Sequence, residues 1–553
     1  MVKMRRRDFL GKTAKTAAAA LAAESWTGRS AWAQATQSPT TEVVIDASRT
    51  LAPLDRHIFG SFLEHLGRAI YTGIYEPGSK LADSNGFRTD VMAEVRGMGV
   101  PIVRYPGGNF VSGYHWLDGV GPRKDRPVVL DRAWNTLETN QFGTNDFITW
   151  CKQVGTEPLM GMNFGTGSAE MAAALVEYCN LDKGTRWSEL RRQHGYEAPH
   201  NVKYWCLGNE MDGPWQIGHM VAPEYGRKAA DAARQMRVID PSLKLIACGS
   251  SGPFMPTYLE WDRQVLEECY QEVDAISLHR YFGNADETGG DSSKYLALNL
   301  AMDRQIEEIV AVCDEVRGLK RSNKQLWLSF DEWNVWYRAR SGDAVNGHRQ
   351  PAPHLLEEVY NLEDALLVGG LINSLIRHSD RVKLACLAQL VNVIAPLMTD
   401  ESGVLRQTIY YPYAWALKYA RGNALRLAPA GPSYEVAQLG RPIEQGGRAM
   451  PGLGQVPFLD VVGTFDPESK TAALFMLNRD LERPREIEIT WQNVTPTRVT
   501  DCQIITGNDL KATNTFDAPK RVVPQPLESP KVGSKMTLQV PAHSYTVMQV
   551  GIH

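Results

Sequence analysis

At 553 residues the chain is longer than one hydrophobic core supports, so a large domain with a smaller companion is expected. Hydrophobic residues at 43% and charged residues at 22% are ordinary for a globular protein and exclude a disordered or low-complexity chain. A formal charge of −4, from 59 basic and 63 acidic residues that are interspersed, excludes the basic footprint of a nucleic-acid or membrane-surface binder and favours a neutral partner.

The chain opens with Arg6-Arg7 ahead of Asp8, Phe9 and Leu10, then an alanine-rich run and Ala31-Trp32-Ala33, a small-x-small cleavage pattern. This predicts a twin-arginine-type signal over 1–33 and an exported protein, periplasmic or extracellular. No other stretch approaches the roughly 20 apolar residues of a spanning helix, so membrane insertion is not expected. The eight cysteines are scattered, with no CxxC pair and no His at ligand spacing, which points to neither a zinc site nor a disulfide scaffold.

Residues 34–55 contain an alternating segment, Thr41 to Ile45, expected to add a strand to a distant β-sandwich. From 56 to 421 short apolar runs alternate with stretches of helical period. Eight strands are predicted: His57–Phe62, Pro101–Arg104, Glu157–Asn163, Lys203–Leu207, Lys244–Cys248, Ala275–Leu278, Gln325–Phe330 and Lys383–Leu387. Amphipathic segments such as Ala222–Val238 and Leu298–Val316 lie between them. Eight such repeats favour a (β/α)8 barrel in the α/β class over an open sheet. Beyond 422 the texture changes to short alternating runs, including Phe458–Phe465, Ala472–Leu477, Glu486–Trp491 and Met536–Val540, and an all-β sandwich is expected to the C-terminus.

In a parallel barrel the active face is built from residues that follow the strands. Those residues include Glu64-His65, Arg104 with Asn109, Asn209-Glu210, His279 with Tyr281, Asp331-Glu332 and Gln389. Glu210, in YWCLGNEMDG after the fourth strand, and Glu332, in LSFDEWNVW after the seventh, end strongly apolar strands on opposite sides of the barrel. Hydrolysis of a glycosidic bond needs one carboxylic acid to protonate the leaving oxygen and one carboxylate across the anomeric carbon. This pair supplies both, with a separation of roughly 5 to 5.5 Å if the mechanism retains configuration.

Regular pleating would turn Asn209 away from Glu210, so an irregular strand end is needed for both to share the site. Tyr281 is placed to hold the nucleophile ionised. His279 could be a site residue or a satisfied core histidine, and Glu64 a sugar ligand or a salt-bridge partner of Arg68 or Arg104. Trp134 and Trp336 could be pocket walls or core. No P-loop or dinucleotide fingerprint occurs, and the GTG at 165–167 is too short to argue phosphate binding.

Strings such as FLEHLGRAIYTGIYEPGS, RYPGGNFVSGYHWLDG, KYWCLGNEMDGPWQIGH, ISLHRYFGN and DEWNVWY resemble glycoside hydrolase family 51 α-L-arabinofuranosidases, from about residue 42 into the C-terminal domain. The resemblance implies a (β/α)8 barrel with a jelly-roll-like domain and retaining, exo-acting release of terminal arabinofuranosyl groups from arabinan, arabinoxylan or derived oligosaccharides. It implies Glu210 as acid/base and Glu332 as nucleophile. Glu64, Asn109, Asn209, Tyr281 and Gln389 would hold the sugar, with Trp134 and Trp336 lining the subsite. No metal or cofactor is implied, and assembly up to a hexamer is. Departures are Ala69, where the family often has Cys, and Gly60-Ser61-Phe62 in place of GHF. The alternatives are another retaining glycosidase on this scaffold, a glucanase or xylosidase, or a non-catalytic carbohydrate-binding relative.

Overall fold

The computed structural model describes residues 39–285, 287–337, 346–440 and 450–553. Residues 1–33, the expected signal, lie outside them.

β1 (Thr40–Asp46) precedes eight parallel strands that close into a barrel in chain order. These are β2 (Gly60–Phe62), β3 (Ile102–Tyr105), β4 (Glu157–Gly161), β5 (Tyr204–Leu207), β6 (Lys244–Ala247), β7 (Ala275–Phe282), β8 (Trp327–Val335) and β9 (Val382–Leu387). Each coincides with an expected run, since strands buried on both faces read as continuous apolar segments. The first run differs: Arg56–Phe59 forms a 3₁₀ turn capped by the Asp55 side chain on the His57 amide, and only Gly60–Phe62 pairs as strand. Helices cover the barrel. Ala222–Ile239 starts with proline in its first turn and buries a face of alanines, and Asn299–Leu319 buries Ile306, Ile309, Cys313 and Val316 at helical spacing.

The sixth and seventh barrel strands run further than expected, to Phe282 and Val335. Apolar patterning ends at Leu278 and Phe330, but the ladder continues through polar residues because irregularities absorb the change of facing. The register slips between Ser277 and His279 against β8, and between Phe330 and Trp333 against β9. Such bulges let consecutive side chains face one way, so both Asp331 and Glu332 reach the barrel's interior side.

The C-terminal strands β10 (Leu459–Asp466), β11 (Thr471–Asn478), β12 (Arg485–Gln492), β13 (Pro496–Ile505), β14 (Lys535–Val540) and β15 (Ser544–Ile552) form two sheets. One has the order β1-β12-β14, with β1 running parallel to β12. The other contains β10-β11-β15-β13 and also takes in Thr50–Pro53 and Asn423–Leu425. Val43, Ile45, Leu474, Met476, Ile487, Ile489, Leu538 and Val550 form the core shared by the two sheets.

The larger sheet also packs on the barrel helix Leu362–Arg377, which is buried almost all round. Gly369 makes this possible: a Cβ there would lie 2.5 Å from the Tyr545 ring, whose hydroxyl donates to Asn373 Oδ1 at 3.0 Å. Among the described residues no helix is long and apolar enough to cross a membrane.

Candidate active site

At the carboxyl end of the barrel strands lies a cavity of about 290 Å³. Of the ten expected site residues, Glu64, Asn109, Trp134, Glu210, Tyr281, Glu332, Trp336 and Gln389 line it; Asn209 and His279 do not. Both are buried and spend their side chains on other site residues.

The end of β5 explains how neighbours share one site. Gly208 has φ +105° and Glu210 has φ +44°, a left-handed backbone that non-glycine residues rarely adopt. The pleat is broken there, so Asn209 accepts a hydrogen bond from Arg104 Nη2 at 2.8 Å while Glu210 faces the cavity. Glu210 Oε1 lies 3.0 Å from His279 Nδ1, and Oε2 accepts from Trp215 Nε1 at 2.7 Å.

Glu332 is held from two sides. Arg104 Nη1 donates to Oε1 at 2.5 Å and the Tyr281 hydroxyl donates to Oε2 at 2.8 Å. Burial and the Glu332 charge raise the Tyr281 phenol well above its ordinary value, so it stays a donor. Burial works against the Arg104 charge, but the carboxylates of Asp331 and Glu332 beside it hold it firmly protonated. Arg104 was an expected alternative partner for Glu64, as was Arg68. Instead Arg104 serves Glu332 and Asn209, and Arg68 pairs with Glu357 at 2.6 Å.

One carboxylate oxygen of Glu210, one of Glu332 and a ring nitrogen of His279 lie within 4.8 Å of one another. Such a group has the spacing to hold a cation, but His279 already bridges Glu210 and Asp331, whose Oδ1 is 3.1 Å from Nε2. The short separation suits two carboxylates acting on one carbon; an inverting pair would stand about 6.5 to 9.5 Å apart to admit water.

Glu64 is buried, and among the described residues no cation pairs with it. Its Oε1 accepts from the Phe110 amide and from Trp134 Nε1, each at 2.9 Å, and its own amide donates to Gln389 Oε1 at 2.9 Å. Gly108 must be glycine here, because a Cβ would come within 2.3 Å of Glu64 Oε2. Burial pushes the Glu64 carboxyl up to about 8, so it is protonated at neutral pH and ionises only above that. Glu64→Gln should therefore keep kcat/KM within about tenfold of wild type at pH 6, whereas Glu64→Ala, which orphans two buried donors, should lose about 10² or more.

Trp134 sits at the turn of a hairpin, Val129–Asp131 with Thr136–Glu138. Asp131 accepts from the Ala133 and Trp134 amides, and Glu138 anchors the base of the hairpin on His65 at 2.7 Å. Trp336 meets Tyr281 edge to face at 5.2 Å.

Several lining residues escaped the sequence reading: Trp215, Ser251, Phe254, Leu356 and Ile394. They come from loops, which carry no periodic signal. Trp215 alone had one, standing five residues after Glu210; it is 43% exposed and stacks near Phe254 with centroids 6.5 Å apart.

Residues 94–295 match the α-L-arabinofuranosidase 1 domain and residues 331–544 the α-L-arabinofuranosidase C-terminal domain. The chain is 47% identical over 483 residues to the intracellular exo-α-(1→5)-L-arabinofuranosidase 1 of Bacillus subtilis (strain 168), covering 87% of this chain and 93% of that one. It is 40% identical to an exo-α-(1→6)-L-arabinofuranosidase of Bifidobacterium longum, covering 92% and 97% of the two chains. Among solved structures, a family 51 α-L-arabinofuranosidase from Bifidobacterium longum superposes with a TM-score of 0.85 at 39% identity, covering 93% of this chain and all of the other.

The expectation of a twin-arginine signal and an exported, periplasmic or extracellular protein is overturned. Four bacterial relatives at 44 to 47% identity, over 86 to 88% of this chain, are named intracellular enzymes. Paired arginines before an alanine-rich run are a compositional signal only, with no packing requirement behind it. Barrel, appended sheets, opposed glutamates and matches along nearly the whole chain lead to one conclusion: this protein belongs to the glycoside hydrolase family 51 α-L-arabinofuranosidases.

Proposed function

We propose that Glu210 is the acid/base and Glu332 the nucleophile of this α-L-arabinofuranosidase. The observation that carries the reading is the pair's approach to within 4.8 Å across one cavity. In the first step Glu210 gives its proton to the leaving oxygen as the Glu332 carboxylate bonds to the anomeric carbon and the glycosidic bond breaks. In the second, Glu210 takes a proton from water, the water oxygen bonds to the anomeric carbon, and Glu332 leaves as carboxylate.

The surroundings support this order. Glu332, gripped by Arg104 and Tyr281, is organised to stay charged, whereas Glu210 faces the exposed Trp215 rim where a leaving group departs. Glu64, Asn109 and Gln389 are the polar contacts for the arabinofuranosyl hydroxyls, and Trp134 and Trp336 the walls. Asn209 and His279 act from behind the cavity.

The linkage proposed for cleavage is α-(1→5), the one printed in the names of the relatives at 44 to 47% identity. Family membership implies assembly of identical copies, up to a hexamer, which light scattering reads directly. Both carboxylates are present and organised, which argues against a non-catalytic relative, and the arabinofuranosidase names of the relatives at 44 to 47% identity argue against a glucanase or xylosidase.

Azide distinguishes the two roles. With an activated aryl arabinofuranoside, Glu332→Gly and azide should give the β-configured arabinofuranosyl azide, and Glu210→Gly and azide the α-configured one. Exchanged configurations would reverse the assignment, and absence of any azide product would remove it.

A further inference from the structure

Asp331 precedes Glu332 and is fully buried, yet it has no route to substrate. It is nonetheless a hub. Its Oδ1 is 3.1 Å from His279 Nε2, and its Oδ2 accepts from Cys206 Sγ at 3.2 Å and lies 3.6 Å from Arg104 Nε. On the other side of the imidazole, Nδ1 is 3.0 Å from Glu210 Oε1 and 3.7 Å from Glu332 Oε2. One ring thus touches three carboxyl groups, and both its nitrogens face their oxygens, the arrangement that suits a ring protonated on each.

We propose that Asp331 is a positioning residue that keeps His279 a permanent imidazolium, a fixed positive charge shared by Glu210 and Glu332 through both halves of the reaction. The proposal rests on the acid/base and nucleophile assignment given above.

The charge count supports it. Arg104 and His279 supply two positive charges against Asp331, Glu210 and Glu332. Before the first step Glu210 carries its proton, and Glu332 and Asp331 balance the two cations. In the covalent intermediate Glu332 is an uncharged ester and Glu210 is ionised, so the balance is unchanged. Transfer of negative charge from Glu332 to Glu210 therefore takes place beside a cation in contact with both, and no other group has to ionise.

Below about pH 7 the groups facing the cluster do not disturb this count. Tyr281 on β7 and the thiols of Cys206, Cys248 and Cys386 on or beside β5, β6 and β9 are all raised by burial and stay neutral. Burial likewise pushes Glu64 up to about 8 and Asp212 up to about 7. Gln305, from the helix Asn299–Leu319, donates to the His279 carbonyl and carries no charge. For His279 itself, burial favours the neutral ring, but the Glu332 charge and the bonds to Asp331 and Glu210 outweigh it and hold the ring up to about 10. Burial also opposes the Asp331 charge, which Arg104 and His279 hold below the usual carboxylate range.

Asp331→Asn should release the second proton of His279. Glu210 and Glu332 then lose a cation in direct contact, and ionising either becomes harder, so both limbs of the kcat/KM profile should move upward by about one pH unit. His279→Gln removes the same cation while Asp331 stays charged and should move both limbs in the same direction. Nitrogen-15 spectra of histidine-labelled wild type at pH 8 should contain one doubly protonated ring that disappears in His279→Gln. A neutral His279 at pH 8 would overturn the proposal. So would a fall in kcat with both limbs unmoved in either variant, the pattern of a merely structural role. Azide products of the expected configurations alongside unmoved limbs would remove only the role of Asp331; missing azide products would remove the assignment beneath it.

Discussion

Glu332→Gly should lower kcat on an aryl arabinofuranoside by about five orders of magnitude, with the folded state kept. The size of the loss follows from what the carboxylate does. Among the described residues of the cavity it alone is held by a guanidinium and a phenol at once, 2.5 and 2.8 Å from its two oxygens, and is so prepared to hold charge against the anomeric carbon. Glycine removes the proposed nucleophile and opens a space beside that carbon. Azide fills the space, and a rate recovered by a factor of about 10² or more would show that the loss was of a reactive group and not of the fold. Activity above about 1% of wild type without azide would refute the assignment.

Arg104→Leu should be nearly as damaging, for a different reason. The guanidinium is fully buried and joins Glu332, Asn209 and Asp331 in one planar fork. Its removal leaves carboxylates buried without their counter-charge, a defect that costs about 3 to 5 kcal/mol. Urea unfolding at pH 7 should show it. The cost should shrink only as the pH falls below the ordinary aspartate value of 3.8: native Asp331 sits below that value, so its stabilisation is fully present above it and is lost on further acidification through the lower native value. In the variant that contribution is missing at pH 7 and matters less where the group is protonated in any case. kcat/KM should fall by about 10³, and Arg104→Lys should recover only part of it, because an ammonium cannot reach Glu332 and Asn209 together. An undiminished stability at pH 7 would contradict the pairing.

The barrel was readable because strands buried on both sides are written as unbroken apolar runs, and the fourth and seventh strands point to the two glutamates as soon as the runs are counted. Backbone irregularity was not readable. The left-handed residue at Glu210 and the slips in β7 and β8 decide which neighbours face inward, yet they carry no signature in residue type. Partners distant in the chain were also hidden: Arg104 and Glu332 are separated by 228 positions, and Arg104 had looked a natural mate for the nearer Glu64. His279 read equally well as core or site and is buried in the cluster, touching carboxylates in place of substrate. Trp215 and Phe254 lie in loops whose shape follows from packing and not from periodicity.

Strand β1 has a consequence for the order in which the molecule is made. Thr40–Asp46 pairs along its whole length with Arg485–Gln492, so its ladder partner leaves the ribosome more than 400 residues after it. Until then the alternating apolar side of β1, Val43 and Ile45, has no sheet to join, while the barrel strands can close in the order of their synthesis. The small three-stranded sheet is therefore a late joint, completed only when nearly the entire chain exists.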